Sequence, residues 1–266
     1  MYKLVVTDLD GTLLSADHRL GEHTRDVLSR LRRQGVEIML ASGRHYQDIR
    51  SLSEQLGSHS CLISSNGASV HNPAAQLVHC RAIDPACLDF LLRDPTFDRV
   101  HTNVYRPDDW LVEAHEPTLL RYHQDSGFTY RIVDFAGLDD VPVLKVFYYC
   151  RDPDHLKTLE RAVTERHGDH LTTTYSLPVV LEVMAKGVSK GSALEGVVEQ
   201  LGFAPQDVIA FGDGPNDLEM LRYAGKGILM ANADPRLREA LPELEVIGSN
   251  QDESVATYLQ TVLMGG

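Results

Sequence analysis

Met1-Tyr2-Lys3-Leu4-Val5-Val6-Thr7-Asp8-Leu9-Asp10-Gly11-Thr12 is the stretch from which the rest of the chain is read. Leu4, Val5 and Val6 form an apolar, β-branched run, too short for a membrane span and suited to a buried strand. The run leads directly into Asp8 and Asp10, and Gly11 permits a sharp backbone turn. In a parallel α/β sheet, ligands bind where strands end at their carboxyl edge. Two carboxylates alternating along an extended chain at that edge can offer one substrate both a nucleophile and an acid or base. A solvated Asp-rich turn would be spelled the same way, so the choice rests on what the chain places beside it.

Working outward, Val27, Leu28 and Leu31 mark one face of a helix that Gly35 stops. Val36–Ala41 reads as a second buried strand and ends at Ser42-Gly43-Arg44. Ile49, Leu52 and Leu56 give a further helix closed by Gly57, and Cys61–Ser64 a third strand running into Ser65-Asn66-Gly67-Ala68. Strand, helix, strand, helix, strand with short polar turns predicts a doubly wound parallel sheet with its loops along one edge. From about Val70 the rhythm changes. Asn72-Pro73 reads as a hairpin turn between Ala68–His71 and Gln76–Cys80. Asp84-Pro85 and Asp152-Pro153 each have the form of an N-cap followed by proline at the first helical position. Strand candidates at Arg99–Tyr105, Trp110–Ala114, Val143–Tyr149, Leu171–Tyr175 and Val179–Met184 surround these helices, which suggests an inserted α+β domain. The α/β rhythm resumes at Gly187-Val188-Ser189-Lys190-Gly191, where Ser189 is the expected N-cap. Val208–Phe211 is then a buried strand ahead of Gly212-Asp213-Gly214-Pro215-Asn216-Asp217. The expected organisation is a discontinuous core of residues 1–81 and 186–266, interrupted by an insert of residues 82–185.

Composition narrows the class of partner. The net charge of −13 over 266 residues argues against a nucleic-acid surface, which would carry a basic patch. It leaves room for small anions, because a metal ion and a few placed cations can reverse the local field. The twelve His have no HExxH spacing, and Cys61, Cys80, Cys87 and Cys150 contain no CxxC pair. Free thiols in a reducing compartment are expected, and no stretch is suited to a signal peptide or a bilayer span. A soluble cytoplasmic protein is the expectation, with no membrane partner; the sequence is silent on oligomeric state.

Taken singly, Ser42-Gly43-Arg44 is a common strand-to-helix turn and Asn66-Gly67 a common tight turn. Lys190 at a helix start opposes the helix dipole, which favours negative charge there. The acidic cluster Gly212–Asp217 is more specific, because carboxylates crowded after a buried strand repel one another unless a cation lies between them. Hard cations such as Mg²⁺ prefer such oxygen ligands. No GxxxxGK[ST] stretch is present, so a P-loop nucleotide site is not expected.

Paired Asp, a Ser hydroxyl, a Lys and a second acidic cluster, in that order, resemble the four motifs of the haloacid dehalogenase superfamily of phosphotransferases. Asp8-Leu9-Asp10-Gly11-Thr12 looks like the first motif, Ser42 the second, Lys190 the third and Gly212–Asp217 the fourth. The large insert, Ser65-Asn66-Gly67-Ala68 and Gly187–Gly191 are similar to the Cof-type phosphatases of subfamily IIB. The resemblance implies a Rossmann-like core with an inserted α+β cap of type C2B. It implies that Asp8 attacks phosphorus to form an aspartyl-phosphate, and that Asp10 protonates the leaving oxygen and then deprotonates water. That double role calls for an Asp10 pKa somewhat raised by its carboxylate neighbour. Mg²⁺ is expected on the Asp8 carboxylate, the Asp10 carbonyl and Asp213, with Asp217 supporting the metal or Lys190. Ser42 and Lys190 would hold the non-bridging oxygens. Gly43, Arg44, Asn66, Gly67 and Asn216 complete the expected phosphate site, and Thr12 would steady the loop after Asp10. In the cap, Tyr105, Arg106 and Trp110 are candidates for reading a sugar or heterocycle. The expected partner is a small phosphorylated metabolite, with pyridoxal phosphate and hexose phosphates first. A phosphomutase of the same fold and a phosphometabolite-binding regulator are the alternative readings.

Overall fold

The computed structural model describes residues 2–57, 59–123, 126–138 and 142–265. The chain opens with β1 (Leu4–Thr7), α1 (Glu22–Arg33), β2 (Glu37–Ala41), α2 (Tyr46–Leu56) and β3 (Leu62–Ser64). A hairpin of β4 (Ser69–His71) and β5 (Leu77–Cys80) follows. Next come α3 (Pro85–Arg93), β6 (His101–Tyr105), β7 (Trp110–Val112), α4 (Pro117–Leu120), β8 (Arg131–Ile132) and β9 (Lys145–Tyr149). The long helix α5 (Pro153–His167) leads to β10 (Leu171–Leu177) and β11 (Val180–Ala185). Then α6 (Lys190–Gln200), β12 (Val208–Gly212), α7 (Leu218–Tyr223) and β13 (Lys226–Leu229) return to the first rhythm. It closes with α8 (Pro235–Ala240), β14 (Glu245–Val246) and α9 (Ser254–Met264).

The strands form two sheets. The larger has the order β14-β13-β12-β1-β2-β3-β4-β5, parallel from β14 to β3 and antiparallel across β4 and β5. Its parallel strands read as continuous apolar runs because both faces are covered. Val5, Ile38, Leu40, Ile209 and Phe211 pack with α1, α2 and α9, while Leu4, Val6, Met39, Val208 and Ala210 pack with α6, α7 and α8. The doubly wound expectation therefore holds. The hairpin at which the rhythm changes extends this sheet and takes no part in the second one.

The second sheet has the order β10-β11-β9-β6-β7-β8. Val104, Leu111, Val146, Tyr148, Leu181 and Val183 lie on one face and meet apolar residues of α3 and α5. The other face carries Tyr105, Trp110, Phe147 and Val180, with Lys145 and Glu182 among them. The proposed caps form as expected: Asp84 accepts from the Ala86 amide, and Asp152 from the amides of Asp154 and His155. Ser189 and Ser192 exchange reciprocal bonds at the start of α6. The short elements α4 and β8 escape sequence reading, since four and two residues are too few to show a period. No helix among the described residues is long and apolar enough to cross a membrane.

Candidate active site

Because β12, β1, β2 and β3 are parallel neighbours, their carboxyl ends open on one edge, and the loops singled out in sequence meet there. Lys190, the first residue of α6, enters from below and is fully buried. Its Nζ lies 2.5 Å from Asp8 Oδ1 and 2.7 Å from Asp217 Oδ1. This explains a lysine at a helix start: two carboxylates offset the unfavourable dipole. Although burial works against its charge, Asp217 and Asp8 hold the ammonium above its ordinary range. The second oxygen of Asp217 accepts from the amides of Asp213 and Gly214, both at 2.9 Å. Asp217 thus ties the fourth loop to Lys190.

Asp8, Asp213 and Asp217 each present an oxygen within 4.8 Å of the others. Burial raises the Asp8 pKa well above the carboxylate range, against the pull of Lys190 and with the push of Asp217 and Asp213. Burial and Asp217 likewise push Asp213 up to about 7, although Thr12 Oγ1 donates to its Oδ1 at 2.7 Å. An all-oxygen site in which Asp8 and Asp213 resist ionisation fits a hard dication, which would relieve the repulsion. The cluster brings together the two expected carboxylate ligands, Asp8 and Asp213, with Asp217 beside them.

The Asp10 carboxylate is held elsewhere. Arg44 donates from Nε to Oδ2 at 2.7 Å and from Nη2 to Oδ1 at 2.6 Å, and His18 Nδ1 lies 2.8 Å from Oδ1. Burial alone would raise the Asp10 pKa, but Arg44 and His18 outweigh it and hold the group well below the usual range. The expected upward shift is thus reversed, because a bidentate cation outweighs the more distant carboxylates. Arg44 also donates to Asp48 at 3.1 Å, and Asp48 in turn accepts from Ser126 and lies 2.9 Å from His123 Nδ1.

These groups border a cleft of about 710 Å³, part of it open to solvent. Asp8, Asp10, Ser42, Gly43, Arg44, Asp213 and Asn216 line its floor; Tyr105, Trp110, Phe147, Lys145 and Glu182 line its roof. Ser42 Oγ accepts from the Arg44 amide at 3.1 Å. Of the three cap candidates, Tyr105 and Trp110 reach the cleft. Arg106 is not among the lining residues, and its guanidinium makes a bidentate contact with Asp109 at 2.7 Å.

Thr12, Asn66, Gly67 and Lys190 also stand behind the lining. Asn66 accepts from Asn216 Nδ2 at 3.1 Å and donates to Glu182 at 2.8 Å. Gly67 has φ +96°, and a Cβ on it would collide with the Ser189 carbonyl. Gly67→Ala therefore combines backbone strain with a clash between the third loop and the start of α6. The expected cost is about 1–3 kcal/mol, a fall in Tm of roughly 2–10 °C for a chain of this size, read by thermal unfolding.

Sequence reading missed His18, Asp48, Lys145 and Glu182. His18 leaves no local signal. Asp48 lies in the first turn of α2, four residues after Arg44, which precedes the helix and reaches back to it. Lys145 and Glu182 stand as lone opposite charges within the apolar runs Val143–Phe147 and Val180–Met184, and a charge at such a position needs a partner.

A family model described as haloacid dehalogenase-like hydrolase matches residues 5–259. A protein of Haemophilus influenzae is 41% identical over 263 residues, covering 98% of this chain and 96% of that protein. A protein of Cronobacter sakazakii named HMP-PP phosphatase is 36% identical over 259 residues, 97% of this chain and 95% of its own. Among solved structures, a haloacid dehalogenase-like hydrolase from Bacteroides thetaiotaomicron superposes with a TM-score of 0.86 at 26% identity. That likeness covers 99% of this chain and 100% of that one.

Proposed function

Because this chain belongs to the haloacid dehalogenase-like hydrolases, we propose that it hydrolyses a small phosphorylated metabolite by transient transfer of the phosphoryl group to Asp8. The observation that carries this reading is the position of Asp8. It lines the cleft at the end of β1, paired with Lys190 and crowded by Asp213 and Asp217. An Asp8 oxygen attacks phosphorus as the ester bond to the leaving oxygen breaks, and water then cleaves the acyl phosphate to regenerate the carboxylate. Lys190 and Ser42 counter charge on the non-bridging oxygens, and Asn216, held by Asn66, orients the group. Asp10 handles the proton. It lines the cleft beside Asp8, protonates the leaving oxygen and then takes a proton from the attacking water.

Asp8 and Asp213, with the Asp10 carbonyl, would hold Mg²⁺, while Asp217 stays committed to Lys190. The ion would supply the positive charge that lets a carboxylate approach a phosphate dianion. The four cysteines, all unpaired thiols, suit action in the cytoplasm.

Phosphate release from HMP-PP, pyridoxal phosphate, hexose phosphates, nucleotides and flavin mononucleotide, with and without Mg²⁺, tests the reading. Metal-dependent release of free phosphate is expected. Silence across the panel, or transfer to a second sugar hydroxyl without free phosphate, overturns it. HMP-PP heads the panel because relatives carrying its name are 36% identical over nearly the whole chain.

Metal removal has a second expected readout. A carboxyl whose folded pKa is raised contributes stability below its unfolded value, and that contribution fades as pH climbs toward the folded one. Without metal, Asp8 and Asp213 should therefore weaken the fold progressively from about pH 4 to beyond pH 7. Saturating Mg²⁺, at about a hundredfold its Kd, should restore about 2.7 kcal/mol, roughly 5–10 °C in Tm. The gap between Mg²⁺ and chelator should be small near pH 5 and widest above pH 7. A gap independent of pH would exclude the carboxylates as the ligands.

A further inference from the structure

Lys145 and Glu182 lie diagonally across neighbouring strands β9 and β11 on one face of the second sheet, and each side chain is only 3% exposed. Their partners are not confined to that sheet. Lys145 Nζ pairs with Glu182 Oε1 and also donates to the Gly43 carbonyl at 2.6 Å, in the loop after β2. Glu182 Oε2 accepts from Asn66 Nδ2 at 2.8 Å, in the loop after β3. Asn66 Oδ1 then accepts from Asn216 Nδ2 at 3.1 Å, in the loop after β12. One ion pair therefore grips two loop ends directly and a third through one side chain.

Stability alone does not account for it. Removing two charges from water costs more than their attraction reliably returns, and a well-packed apolar pair often serves as well or better. What an apolar pair lacks is direction. Hydrogen bonds to one carbonyl and one amide set the sheet against the loops in a single register. Asn66 itself sits at φ +56° and must be held there by its surroundings.

We propose that the Lys145–Glu182 pair is a positioning element of the phosphoryl-transfer site, fixing the second sheet on the ends of β2 and β3 and setting the Ser42–Arg44 loop and Asn216 at the phosphoryl group. This rests on the phosphatase reading above. The pair acts on loops that hold phosphate, so its loss affects every monoester whatever the leaving group.

The test compares the wild type with Glu182→Gln and with the double variant Lys145→Met/Glu182→Met, in the full chain. Glu182→Gln turns an amide NH₂ toward Asn66 Nδ2 or toward Lys145, so it breaks one arm of the relay at nearly constant shape. The double variant removes both charges and leaves none unpaired. Three quantities are measured: Tm, amide hydrogen exchange over residues 42–44 and 64–67, and kcat and KM for acetyl phosphate and pyridoxal phosphate. Acetyl phosphate has only a two-carbon leaving group, which offers the second sheet far less to contact than pyridoxal does. The double variant is expected to keep Tm within a few degrees, exchange about tenfold faster in both loops, and lose about 10- to 100-fold in kcat with both substrates while KM changes little. Misplacement by about an ångström carries a loss of that order.

Unchanged exchange and kcat would overturn the proposal. So would a loss seen only with pyridoxal phosphate, which would make the pair a contact to the leaving group. A fall in kcat matched by unfolding would overturn it as well, making the pair merely structural. If the wild type releases phosphate from no ester at all, the phosphatase reading fails, and loop exchange still decides whether the pair sets the loops.

Discussion

Asp8→Asn is expected to leave the fold intact and to remove turnover, with phosphate release falling by roughly three orders of magnitude or more. The amide keeps the size of the carboxylate but is far too weak a nucleophile toward phosphorus. Stability should not suffer. The replaced group is a buried acid whose ionised form burial disfavours and whose neighbours Asp217 and Asp213 repel it. Lys190 loses one partner and keeps the other, with Asp217 Oδ1 at 2.7 Å. In metal-free buffer above pH 7 the variant should melt at or above the temperature of the wild type, because one buried negative charge is gone. Phosphate release, circular dichroism and melting on the same preparation check this. Full activity in a folded Asp8→Asn protein would sink the covalent mechanism. Loss of activity with loss of fold would show instead that the Asp8–Lys190 contact is structural.

Lys190→Met should damage both fold and turnover. Lys190 is fully buried and bridges Asp8 to Asp217. Without it, two buried carboxylates face each other beside Asp213 with no ammonium between them. Breaking a buried ion pair from one side typically costs about 3–5 kcal/mol, here roughly 6–20 °C in Tm. The sign of the pH dependence follows from what remains. Loss of the cation raises the Asp8 and Asp213 pKa values further, so those two carboxyls are neutral at low pH and the variant should be least impaired near pH 5 and most impaired near pH 8. Mg²⁺ should recover part of the stability, because it supplies positive charge to the same oxygens. Activity should not return with it, since Lys190 is also the cation proposed to counter phosphoryl charge. Recovery of full turnover by Mg²⁺ alone would mean that Lys190 serves the fold only.

The contrast between Asp10 and Lys190 shows where sequence reading stops. Asp10 could be placed at a strand end because the apolar run before it and Gly11 after it are local features. Its acidity could not, because the groups that set it are 34 residues away at Arg44 and eight away at His18. Lys190 was visible as a charge on the wrong end of a helix, a local anomaly. The reason for the anomaly lies 182 residues away at Asp8 and 27 away at Asp217. Arg106 is the converse case: beside two aromatics it looked like a ligand contact, and three residues further on Asp109 takes up its guanidinium.

By itself, the sequence determined the alternation of strand and helix, the buried parallel sheet, the caps at Asp84, Asp152 and Ser189, and the loops in which the polar residues fall. All of these follow from short-range physics: the side-chain period of each element and the backbone preferences of Gly, Pro, Asp and Ser. Only the tertiary structure decided which charges face one another. It put Arg44 on Asp10, tied Asp217 to Lys190, and set Lys145 and Glu182 of the second sheet against Gly43 and Asn66. Electrostatic partnership depends on distance through space and on how much water is excluded between the groups, and neither is written in the spacing of residues along the chain.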